Sequence, residues 1–161
     1  MGSGKTTVGQ MLADRADRPF LDTDRLVEEA AGTTVFEVFD KEGEEGFRLR
    51  ETDAIETAAG FADAVVATGG GAVLVDQNIR LMKSTGPVVW LQADPATLAA
   101  RIGEPSGRPL LSGAGLEERL AAILEERKGA YETAADHVVS TVDASVDEVV
   151  VLVEKIWNAS W

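Results

Sequence analysis

The chain has 161 residues, room for one domain with a core of its own and too few for two ordinary ones. Its composition, 45% hydrophobic and 27% charged, is that of a globular protein. It has no apolar run of bilayer-spanning length and no charged-then-apolar signal pattern at its start. The absence of cysteine excludes disulfides, thiolate metal sites and cysteine nucleophiles and fits a reducing cytoplasm, while a net charge of −13 opposes general binding to nucleic acid or anionic membranes.

The pattern along the chain alternates helices with short β-rich runs. Thr6–Asp17 predicts a helix with Val8, Met11 and Leu12 on one side, and "PFLDTD" (Pro19–Asp24) a short strand ending in acids. The run "DRLVEEAAG" follows as a helix with Asp24 as its N-cap, and the charged amphipathic stretch Glu42–Ala59 predicts another. Ala64–Thr68 reads as a buried strand breaking at Gly69-Gly70-Gly71, with a helix opening after it. Val88–Gln92 reads as a further strand, with Asp94 as N-cap and Pro95 at the first helical position of the next helix. Leu116–Thr133 is a long helix, Asp136–Thr141 a last strand, and Ser145–Trp157 a closing helix. Strands separated by helices imply an α/β fold with a parallel sheet between two helical layers and ligands at the carboxyl ends of the strands. The Asp22/Asp24 pair and the triple glycine both fall at such ends.

Ahead of all these stands "MGSGKTTVGQ". In G-x-x-x-x-G-K-[ST], backbone N–H groups at a helix N-terminus surround phosphate oxygens, the lysine reaches the outer phosphates and the hydroxyl ligates Mg²⁺. Gly4-Lys5-Thr6 supply the second half, followed at once by a helical pattern; the first glycine would lie two positions before Met1. A Gly/Ser-rich tag remnant is the bland alternative, and the correctly placed lysine, threonine and helix argue against it. "DKEG" (Asp40–Gly43) matches one GTPase mark by letter, but no N-K-x-D guanine reader accompanies it.

"LDTD" (Leu21–Asp24), "FRLRE" (Phe47–Glu51), "TGGGAV" (Thr68–Val73), "RPLL" (Arg108–Leu111) and "ERKGAY" (Glu126–Tyr131) follow the phosphate loop in order. Together with that loop, they make the chain resemble shikimate kinases from Met1 to the closing helix. The resemblance implies a P-loop NTPase three-layer sandwich of the nucleoside-monophosphate-kinase type with a five-stranded parallel sheet. It implies one kinase domain over residues 1–161, with a lid loop around Gly103–Gly115. The implied reaction transfers the γ-phosphoryl of ATP to the 3-hydroxyl of shikimate, with Mg²⁺, in aromatic amino-acid biosynthesis. A monomeric, cytoplasmic enzyme with no nucleic-acid or membrane partner is expected.

Carried over residue by residue, Gly2, Ser3, Gly4, Lys5, Thr6 and Thr7 would bind ATP, with Lys5 on the γ-phosphate and Thr6 and Asp22 on Mg²⁺. Asp24 would hold the acceptor's hydroxyls and take the proton of the attacking one; Arg48 and Arg127 would grip the shikimate carboxylate, and Gly70 would contact shikimate. A guanidinium fork suits a carboxylate, although a helix arginine paired with a glutamate is the ordinary alternative, and Arg50 is assigned to it. Arg108 would be the lid arginine that meets the phosphates, Arg101 would pack on adenine, and Thr141–Ser145 would line it. Phe39 and Phe47 are either acceptor-pocket walls or core, while His137, Trp157 and Trp161 read as structural.

In the resembling family an apolar strand and the first loop glycine precede the stretch matching "GSGKT", so both are expected upstream of Met1. That strand would be central, and without it the chain is expected to be unstable or rearranged. Two other readings are weighed: another small-metabolite P-loop kinase, such as one acting on gluconate, and an inactive nucleotide-binding module with a truncated loop.

Overall fold

The computed structural model describes residues 2–102 and 115–159. Two compact units emerge, one from the described parts of Met1–Val8 and Pro87–Trp161, the other from Gly9–Gly86. Helix α1 (Lys5–Ala16) begins in the first and continues into the second.

In the Gly9–Gly86 unit, β1 (Phe20–Asp22) and β2 (Val65–Ala67) pair in parallel, with Asp22 opposite Ala67 at their carboxyl ends. Helix α2 (Thr23–Ala31) starts immediately after β1, and the long α3 (Val35–Ala59) follows from a Thr34 cap. Their apolar faces meet in a cluster of Val27, Val38, Phe47 and Ala54. β2 runs into Gly69–Gly71, a 3₁₀ turn (Ala72–Leu74) and α4 (Asp76–Thr85).

Three expectations are corrected here. The N-cap of α2 is Asp22, not Asp24: the strand ends two residues earlier than "DTD" suggests, and the Asp22 carboxylate accepts from the Asp24 N–H at 3.0 Å. Helix α3 begins at Val35 rather than Glu42 and kinks at Gly43 (φ 69°, ψ −174°). Across that kink Arg50 forks onto Glu42, with both bonds at 2.8 Å, which accounts for Arg50 as a helix arginine paired with a glutamate. The glycine run opens a 3₁₀ turn before any α-helix does.

In the other unit, β3 (Val89–Gln92) and β4 (His137–Ser140) pair in parallel, Gln92 opposite Ser140. Helices α5 (Pro95–Ile102) and α6 (Leu116–Ala134) bury Ala93, Leu98 and Leu120 between them, and α7 (Val146–Ala159) closes the unit over β4. Asp94 caps α5 as expected, accepting from the Thr97 N–H at 2.7 Å. Ser145 and Glu148 form a reciprocal capping box at α7. The described residues thus hold four strands in two parallel pairs, where the resemblance implied five in one sheet. Residues 103–114, and with them Arg108 and nearly all of the expected lid, lie outside the described residues, as does Trp161. Among the described residues no helix is long and apolar enough to cross a membrane.

These caps give stability a pH dependence. The Thr97 backbone N–H holds the Asp94 carboxyl below its ordinary value, the Ser145 N–H and hydroxyl do so for Glu148, and the Arg50 fork does so for Glu42. Depressed folded values mean stability that is fully present above the unfolded carboxylate range of roughly 4 and lost as pH falls through the folded values. The urea midpoint should therefore be flat from neutral pH to about pH 5 and decline below it. Asp94→Asn and Glu42→Gln should make that decline shallower; an unchanged slope would remove these groups from the account.

Candidate active site

In the first unit, the phosphate loop runs from Gly2 into α1. Gly4 (φ 87°) gives its carbonyl to the Val8 N–H at 2.8 Å, so Lys5, Thr6 and Thr7 form the first helical turn, which contains no acidic residue. A helix start of this kind favours an anion through its aligned dipoles and N–H groups. Ser3 is buried, Gly2 and Lys5 are half-buried, and Thr6 and Thr7 are exposed.

The same unit holds Arg101 in the last turn of α5 and Arg127 on α6. Arg127 is only 8% exposed, and its Nε–H has no hydrogen-bond partner among the described residues. One turn further along α6, Tyr131 stacks on Trp90 of β3 with ring centroids 5.2 Å apart. This contact was not foreseen; it fixes the helix that carries Arg127 against the sheet.

In the second unit, Asp22, Asp24, Arg48 and Gly70 lie around the carboxyl ends of β1 and β2. Between the two acids stands Thr23, fully buried, whose hydroxyl accepts the Gly69 N–H at 3.0 Å and so ties the acidic turn to the glycine turn. Arg48 donates to Glu51 at 2.5 Å and to Glu44 at 3.2 Å. Glu51 is 1% exposed, so the motif's last letter is a buried counter-charge for Arg48. The glycines are needed for proximity: a Cβ on Gly69 would fall on the Glu51 carboxylate, and one on Gly71 on the Arg48 guanidinium. Gly70 sits between them, half-buried. Behind the turn, fully buried Asn78 donates to the Ala72 carbonyl at 3.1 Å.

Phe47 is core, 4% exposed, and Phe39 stacks on it with centroids 4.3 Å apart. Arg48 lies 5.3 Å above the Phe47 ring, so the aromatic pair also braces that guanidinium. Thr23, Glu51 and Asn78 were missed as site residues. A threonine inside "DTD" and a glutamate three after an arginine were visible signals, but nothing in the sequence marks them as buried.

A family model described as shikimate kinase matches residues 1–157. The chain belongs to the shikimate kinase family. A shikimate kinase of Symbiobacterium thermophilum is 48% identical over 97% of this chain and 91% of its own length; one of Pelotomaculum thermopropionicum is 41% identical over 93% and 87%. Among solved structures, a shikimate kinase from Acinetobacter baumannii in complex with shikimate superposes with TM-score 0.94 at 34% identity, covering 99% of this chain and 89% of that one. A shikimate kinase from Aquifex aeolicus gives 0.82 at 32%, covering 99% and 94%. The P-loop NTPase fold of the shikimate kinase family is thereby established for this chain.

The Thr23–Gly69 bond carries a measurable cost. Thr23→Val keeps the shape but takes away the hydrogen-bond partner of the half-buried Gly69 N–H, and should lower unfolding free energy by about 1 kcal/mol in urea titrations. Thr23→Ser, which keeps the hydroxyl, should lose clearly less; equal losses would show that the methyl, not the hydrogen bond, matters.

Proposed function

We propose that the residues described above carry out the family's reaction in the following roles. The chain is a transferase that moves the γ-phosphoryl of ATP to shikimate, a step of the shikimate pathway. Gly2, Ser3, Gly4, Lys5, Thr6 and Thr7 bind the phosphates of ATP, with Lys5 on the γ-phosphate. Arg48 and Arg127 grip the shikimate carboxylate, and Gly70 offers its backbone to the ring substituents. Asp24 orients the 3-hydroxyl and takes its proton as the hydroxyl oxygen bonds to the γ-phosphorus. The bond from that phosphorus to the β–γ bridging oxygen breaks, leaving ADP. Because phosphoryl transfer is loose, positioning this hydroxyl contributes more than the basicity of Asp24.

The observation that carries this reading is Arg127. An arginine more than nine-tenths buried, with an N–H that no described residue fills, calls for an anion to accept from it. A carboxylate meets a guanidinium with parallel, charge-assisted bonds.

Thr6 and Asp22 fit Mg²⁺ by donor chemistry, being a hydroxyl and a carboxylate, both hard oxygen ligands. Among the described residues no group of three or more His, Cys, Asp or Glu could hold a metal, in keeping with an ion that takes its other ligands from phosphates and water. When bound, Mg²⁺ would neutralise phosphate charge. Arg108 completes the roles by resemblance, as the lid arginine over the phosphates, and Arg101 as the adenine platform.

We further propose a single kinase domain over residues 1–161, with the lid around 103–115, acting as a cytoplasmic monomer. The −13 charge supports the absence of nucleic-acid and membrane partners.

The test is ADP release from Mg-ATP by the purified chain. ADP should appear only with shikimate, and EDTA should abolish it until Mg²⁺ is restored. Arg48→Lys and Arg127→Lys should raise KM for shikimate roughly 10- to 100-fold while leaving KM for ATP nearly unchanged. Release indifferent to shikimate would overturn the acceptor, and equal effects on both KM values would overturn the arginine roles.

A further inference from the structure

Arg101 is exposed, yet its guanidinium is not free to swing. Nη1 donates to the Thr141 hydroxyl at 2.9 Å and Nη2 to the Thr141 carbonyl at 2.5 Å. Thr141 itself is 2% exposed and follows directly on β4. Its hydroxyl proton goes to the Gln92 carbonyl at 3.2 Å, and its N–H to the same carbonyl at 2.8 Å. A hydroxyl has a single proton. With that proton on Gln92, the oxygen faces Arg101 as a pure acceptor, and the direction of every bond in the chain is fixed. Gln92 is the last residue of β3. The guanidinium is therefore anchored to the carboxyl ends of both strands of its pair.

Two contacts from one residue to two nitrogens of a planar group set the plane of that group while leaving its faces uncovered. A flat guanidinium with uncovered faces stacks well on an aromatic ring. The helix bearing it also touches the phosphate loop. A Cβ on Gly2 would lie 3.0 Å from both the Leu98 carbonyl and Ile102 Cγ1, the residues that bracket Arg101 on α5. Loop and arginine are thus referenced to one short helix.

We propose that Thr141 is a positioning residue for nucleotide binding: it does not touch the base but locks the Arg101 guanidinium in the plane that stacks on it. The proposal rests on Arg101 being the base platform. Free Arg101 would have to give up rotamer freedom on every binding event; clamped Arg101 has already given it up during folding.

The test measures binding of ADP and of inorganic tripolyphosphate, which has no base, by calorimetry on the full chain. Thr141→Val should weaken ADP binding roughly 3- to 10-fold, the weight of one hydrogen bond, and leave tripolyphosphate binding unchanged. Thr141→Ser, which keeps the hydroxyl, should bind ADP as the parent does. Arg101→Ala should weaken ADP binding, and adding Thr141→Val to it should cause no further loss, because Thr141 acts only through Arg101. Arg101→Lys leaves Thr141 intact but cannot make the two-pronged contact. Its loss therefore combines platform and clamp and should exceed that of Thr141→Val. Thr141→Ala, which removes the hydroxyl and keeps Arg101 whole, should lose as much as Thr141→Val and supplies the answer should the buried valine prevent folding.

If Arg101→Ala leaves ADP binding unaltered, the platform reading itself fails. If Arg101→Ala weakens binding and neither Thr141→Val nor Thr141→Ala does, the platform stands and the clamp is overturned. Additive losses in the double variant would mean that Thr141 meets the nucleotide directly, and a parallel loss of tripolyphosphate binding would mean general damage to the unit. Either result overturns the proposal.

Discussion

A carboxylate with 1% of its surface exposed is tolerable in a fold only if something answers its charge, and Arg48 answers Glu51. Much of the Gly9–Gly86 unit follows from that pairing. Glu51 and Arg48 occupy successive turns of α3, so the helix must lie with this face against the glycine turn, and the turn must be built of residues without side chains to admit both groups. Phe47 then lies under the guanidinium, and Phe39, stacked on Phe47, packs with it against the apolar cluster of Val27 and Val38. The buried pair is a poor source of stability, since desolvation offsets most of its attraction, but a strong source of uniqueness: any register that parts the two leaves a charge stranded in the core.

The two units solve the same problem with different means. In one, a buried hydroxyl (Thr23) joins an acidic turn to a glycine turn; in the other, a buried hydroxyl (Thr141) joins a strand end to an arginine. Both threonines stand at or next to the carboxyl end of a parallel strand, where the chain leaves the ladder and backbone groups need partners. A hydroxyl can accept and donate at once, which lets one small side chain satisfy a backbone group and orient a functional one.

Much of this was legible in the sequence, and the limits have physical causes. The order of elements was readable from periodicity, and the phosphate loop, "LDTD", "FRLRE" and the triple glycine marked the carboxyl ends of strands. Asp94 was readable as a cap because Pro95 fixes the first helical position; Asp22 and Asp24 both stand at the strand-to-helix junction, and a shift of two residues decides between them. Gly43 sits inside an unbroken amphipathic pattern, and the kink depends on a left-handed backbone that no pattern announces. Glu51 and Thr23 look like surface residues by type, and only the folded chain reveals their burial. The expectation of five strands came from resemblance, not from periodicity, which supports the four found among the described residues.

The break at Gly43 divides α3 mechanically. Where Gly43 leaves helical φ/ψ the i→i−4 ladder is interrupted, so the segment before the kink and the segment after it are two helices end to end. The later segment carries the buried charge pair and most of the α3 residues that reach the core. The earlier one is held by the buried Val38, by the stacking of Phe39 on Phe47 and by the Arg50–Glu42 fork. One helix thus makes two separate attachments to its unit: the segment before the kink enters the apolar cluster through Val38, and the segment after it holds the guanidinium of Arg48 against Glu51.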